Sequence, residues 1–140
     1  MTTTQTVEQG TKPVLRYILA AVALVFGAAT IKAGGDVLFF NEQARSAAGN
    51  YVPFVLWANF IGGFLYITAG LLIFLNSTQA LRFSAFIAAM TVAVLVALLI
   101  HIAVGGAYEA RTLAAMVFRS VIWVAIVLIL RMKKVTGEKI

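Results

Sequence analysis

The sequence predicts an all-α integral membrane protein, an antiparallel bundle of four spanning helices. Three observations predict it. Hydrophobic residues make up 62% of the chain and charged ones 11%, against about half and about a quarter in a soluble domain. Four apolar runs each approach or exceed the ~20 residues that a bilayer core demands of a helix. Two of the three links between them are short and polar, which turns neighbouring spans antiparallel. A chain of 140 residues is one domain by size. It divides into a flexible polar tail at 1–12, a four-span bundle at 13–131 and a basic tail at 132–140. Its first partner is the lipid bilayer.

The first run covers 13–31, with Pro13 at the first helical position, where a missing N–H costs nothing. A signal peptide is the rival reading, but the run is long for one and Ile31-Lys32-Ala33-Gly34-Gly35-Asp36 makes a poor cleavage site. A retained span is expected. Residues 32–51 form a long polar connection with a short amphipathic piece, because Val37, Leu38, Phe39 and Phe40 cannot all face water. The second run covers 52–75 and ends in the tight link Asn76-Ser77-Thr78-Gln79. The third covers 81–104, the link is Gly105-Gly106, and the fourth covers 107–130.

Positive-inside counting sets the orientation. Segments on the side of the termini carry Lys12, Arg16, Arg82, Arg131, Lys133, Lys134 and Lys139; the opposite side carries Lys32, Arg45 and Arg111. This asymmetry places both termini in the cytoplasm, in a multi-pass protein of the cell (inner) membrane. The net charge of +6 gathers mainly at the chain ends, a topology signal and not a nucleic-acid footprint; no nucleic-acid partner is expected. With no cysteine in the chain, iron–sulfur, zinc–cysteine and thiol redox chemistry are excluded from it. Nucleotide-binding, hydrolase and kinase motifs are absent.

Small residues mark helix contacts in lipid, where no hydrophobic effect drives helices together. Ala85, Ala89, Ala93 and Ala97 recur every four residues and lead to His101, so this row is expected to face the bundle. In the second span Asn59, Gly62, Gly63, Tyr66 and Gly70 share one arc at about 100° per residue, a packing seam or a ligand groove. In the fourth span Arg119 lies ~10 Å beyond Thr112 along the axis, a depth at which a charge normally faces protein or water. Glu109, Thr112, Met116, Arg119, Ser120 and Trp123 share an arc, whereas Arg111 points elsewhere. Arg119 is expected to reach back to Glu109 or Asp36, with His101 nearby. Lys32, Asp36, His101, Tyr108, Glu109 and Arg119 gather at the outer ends of the spans. Together with Asn59 and Tyr66 they form a candidate polar cluster for a carboxylate, a quinone carbonyl or a proton relay. Structural pinning of the bundle accounts for the same residues. No metal site is expected, and haem ligation by His101 with Met116 or Met90 would need those side chains to converge.

The chain resembles the DoxX-like family of small four-span membrane proteins. His101 followed by Gly105-Gly106-Ala107-Tyr108-Glu109 is similar to that family's His, glycines and aromatic-Glu pair opening the last helix. Asn59-Phe60-Ile61-Gly62-Gly63 resembles its Glu-x-x-Gly-Gly, with Asn59 replacing the glutamate. Gly27 with Lys32 is a weaker match. The resemblance implies a compact four-helix membrane fold. Some relatives are small subunits of quinone-linked oxidoreductases, including thiosulfate:quinone oxidoreductase. It therefore implies an accessory or anchoring subunit of such a redox complex, with a peripheral or membrane oxidoreductase as partner, quinone as the candidate cofactor and no covalently bound group. Loss of the carboxylate at Asn59 weighs against catalysis by this chain alone. The alternatives are a binding or transport module for a lipid-like or anionic ligand, and a purely structural bundle.

Overall fold

The computed structural model describes residues 14–135, and within them every regular element is a helix. The expected tail at 1–12, Pro13 and the final residues 136–140 lie outside the described residues. Helix α1 (Val14–Gly35) runs into a π-helical turn (Asp36–Phe40); α2 (Glu42–Ala48) is short; α3 (Pro53–Phe74), α4 (Ala80–Ala103) and α5 (Ala110–Val135) are long. Four segments, with α1 and the π turn counted as one, are long and apolar enough to cross a membrane. The architecture is that of a multi-pass membrane protein, an all-α bundle with α2 at one end.

The boundaries differ from the sequence reading at both polar regions. The first span continues to Phe40, because Gly34, Gly35 and the π turn extend the helix instead of ending it. Asn41 N–H donates to the Asp36 carbonyl at 3.0 Å, closing the wide turn. Asn41 then caps α2, its Oδ1 accepting from the N–H groups of Gln43 and Ala44 at 2.9 and 3.2 Å. The last helix starts at Ala110 and not at Ala107, and it runs through the basic stretch to Val135. Lys133 and Lys134 thus sit in its last turn, where cations suit the helix dipole.

The closest backbone packing is α1 on α3 and α4 on α5. The α1–α3 seam is built on glycine. A Cβ at Gly27 would stand 2.8 Å from the Gly63 carbonyl oxygen and 3.0 Å from the Ile67 nitrogen. One at Gly63 would stand 2.6 Å from Ile31 Cγ1 and 3.0 Å from the Gly27 carbonyl oxygen. The arc of Gly62, Gly63, Tyr66 and Gly70 is buried as expected, but it serves two neighbours. Gly63 and Gly70 meet α1, while Gly62 faces Tyr66 and Met90. Tyr66 stacks on Phe26 with ring centres 5.8 Å apart and tilts against Trp123 at 5.0 Å. Leu65 packs partly buried against this core.

The alanine row of α4 does not face the bundle. Ala89, Ala93 and Ala97 are exposed and Ala85 is half-buried; the buried residues are Ala80, Ser84, Ile87, Ala88, Thr91 and Leu98. Steps of four drift ~40° each, whereas the run Ser84, Thr91, Leu98 in steps of seven stays on one side. Ile87 and Leu98 also have the bulk to fill the space towards their neighbours, which alanine lacks.

Candidate functional site

A cavity of about 440 Å³ opens at the α2 end of the bundle, a size typical of small-molecule sites. Its walls are the C-terminal part of α1, the start of α3 and the start of α5, and α2 forms the roof. Each wall is positioned by local chemistry. Arg45 fastens α2 to the π turn, donating from Nε to the Val37 carbonyl at 3.2 Å and from Nη2 to the Leu38 carbonyl at 3.1 Å. Two contacts tie the roof region to the α5 start: Arg111 Nη2 donates to the Ala47 carbonyl at 2.7 Å, and Glu109 Oε1 accepts from Asn50 N–H at 2.9 Å. Glu109 precedes α5 and its own carbonyl accepts from Thr112 N–H at 3.0 Å, so it links helix start and roof.

The polar lining comprises Asp36, Asn59, Glu109, Arg111 and Arg119, with Thr30, Thr112 and Tyr51. Four of the sequence candidates therefore meet here: Asp36, Asn59, Glu109 and Arg119. Arg111, read as pointing elsewhere, joins them. Lys32 stands beside the site, its exposed Nζ 2.6 Å from Asp36 Oδ2. Tyr66 lies in the core below. His101 does not belong to the cluster. Its Nε2 is 3.0 Å from the Ala107 carbonyl oxygen, and its ring covers Gly106, where a side chain would collide with it. His101 thus closes the α4–α5 link, because the chain turns back over the ring it has just passed.

The expected ion pair of Arg119 is absent. No carboxylate among the described residues lies within ion-pair distance of it; Asp36 is taken by Lys32, and Glu109 by Asn50. Arg119 Nη2 is 3.5 Å from Thr30 Oγ1, and Nη1 is 3.8 Å from Met116 Sδ. The guanidinium lies 5.6 Å from the centre of the Phe26 ring, a cation–π contact. Buried Nε finds no hydrogen-bond partner in the protein. The α5 arc is as read from the sequence, with Met116, Ser120 and Trp123 buried. The carboxylates, however, belong to segments that bend away to hold α2, which helical spacing cannot reveal. Thr30 and Phe26 were missed. Thr30 had a signal, since it shares the small-residue side of α1 with Gly27 and Gly34; Phe26 had none.

Trp123 Nε1 and Ser84 Oγ also lack partners. They are single neutral groups in the packed interior and do not line the cavity. Arg119 is different in kind: a full positive charge at a cavity wall, held by two long contacts and an aromatic face. No group of three or more His, Asp or Glu residues among the described residues could hold a metal ion. Comparison with family models, curated proteins and solved structures returns no match to this chain.

Proposed function

We propose that this chain is a small membrane binding module whose cavity takes an amphipathic molecule by an acidic or carbonyl head group. The observation that carries the reading is Arg119, an intramembrane cation lining a cavity without a carboxylate partner. Such a charge is costly in a span and marks a functional position by default. The rest of the lining combines apolar residues such as Val37, Val52, Val55 and Leu56 with polar side chains able to orient a head group. The test is native extraction of the wild type and Arg119→Met in mild detergent, followed by mass spectrometry. A head-group-bearing amphipath enriched with the wild type and lost from the variant is the expected outcome. Identical extracts would leave a purely structural bundle.

The second reading is an accessory or anchoring subunit of a quinone-linked redox complex. It is supported by the DoxX-like resemblance around His101 and Tyr108-Glu109. A stoichiometric oxidoreductase in the wild-type extract would favour it.

The location that fits either reading is the cell (inner) membrane, with both termini cytoplasmic and the cavity towards the outer face; the charge asymmetry supports this. Because the chain has no cysteine, single-cysteine labelling is free of background. Asn50→Cys should react with an impermeant thiol reagent on intact cells, and Ser77→Cys only after lysis. The reverse pattern would invert the orientation.

A further inference from the structure

We infer that the ligand is a small monocarboxylate, its head on Arg119 and its apolar body under α2; this rests on the binding-module reading above. The argument is a census of charge. Four charged side chains line the cavity: Asp36, Glu109, Arg111 and Arg119. Three are committed within the protein, Asp36 to Lys32, Glu109 to Asn50 and Arg111 to Ala47. Arg119 alone has no short polar contact. One uncommitted cation calls for one negative charge. A neutral alcohol or quinone would leave the guanidinium uncompensated where desolvation makes that costly. A phosphate monoester brings about −1.5 to −2 charges, more than is left when Arg111, Arg119 and neighbouring Lys32 are set against Asp36 and Glu109, so the surplus negative charge opposes it.

Shape points the same way. The planar fork of an arginine matches a carboxylate with two parallel hydrogen bonds. Asn59 and Thr112 add amide and hydroxyl donors to the lining. Ala44, Ala47 and Ala48 of the roof contribute only methyl groups, leaving room for an apolar body of modest size.

The test uses the full chain in nanodiscs of zwitterionic lipid at about pH 7.5, where a carboxylic acid is ionised. The probes are hexanoate, hexan-1-ol, hexyl phosphate and a short-tailed quinone, titrated calorimetrically. Hexanoate should bind one molecule per chain, at least about tenfold tighter than the other three. Arg119→Met should remove that preference. Ala48→Trp, which fills the cavity from the roof and leaves Arg119 in place, should abolish hexanoate binding. Hexanoate binding that survives both variants would place it elsewhere and overturn the inference. An alcohol, phosphate or quinone that binds as tightly as hexanoate, and depends on Arg119, would overturn the carboxylate class while keeping the binding module. No binding of any probe to the wild type would sink both.

Discussion

Gly27→Leu should abolish the folded bundle in detergent, and Gly27→Ala should already lower its stability by about 1–3 kcal/mol, the range for overpacking a tight contact. The cause is backbone against backbone. A Cβ at Gly27 meets the Gly63 carbonyl oxygen at 2.8 Å and the Ile67 nitrogen at 3.0 Å. Neither atom can swing aside as a side chain can, so α1 and α3 must separate. Helix association in lipid depends on such packing, and separation would lose contacts along the whole seam. Gly62→Ala should be milder, because its Cβ would meet Tyr66 and Met90 side-chain atoms at 3.3 Å or more. Ile61→Ala, at an exposed position of α3, is the control and should change stability by no more than about 0.5 kcal/mol. Thermal unfolding in one detergent, followed by circular dichroism, ranks the four. A Gly27→Leu protein as stable as Ile61→Ala would refute the seam.

Arg119→Met should keep or raise stability while removing ligand binding. Burying an ion costs several kcal/mol unless it is paired with good geometry, and Arg119 has only two long contacts and a cation–π contact. The cation–π contact is worth about 0.5–2 kcal/mol, and removing the desolvation of the half-buried guanidinium offsets its loss. Glu109→Ala acts elsewhere, deleting the bond from Asn50 N–H. A hydrogen bond to a charged group is worth about 1.5–3 kcal/mol, and the exposure of Asn50 puts this one at the low end. The two changes should be additive within about 0.5 kcal/mol, as they are for sites without shared partners. A marked loss of stability in Arg119→Met, recovered when Glu109→Ala is added, would restore the Arg119–Glu109 ion pair and remove the reason to read Arg119 as a ligand group. A stability cost at a site also kept for binding would be an ordinary trade-off.

The sequence by itself determined the membrane class, the number of spans, the shared arc of the α3 glycines and the position of Arg119 along its span. These follow from length, hydropathy and helical spacing within one segment, which are local quantities. The burial of Met116, Ser120 and Trp123 on one side of α5 was legible for the same reason. What the tertiary structure alone decided depends on distance between segments. The alanines of α4 are regular in spacing, but spacing says only that they share a side, not which neighbour that side meets. His101 and Glu109 lie near Arg119 in chain order, yet one closes the α4–α5 link and the other holds α2. The connection at 32–51 looked like a polar loop because its segments are too short for periodicity to speak. Folded, it supplies the end of α1, the π turn and the roof of the cavity. Whether a deep arginine finds a carboxylate is a question of ångströms between helices, and only their packing answers it.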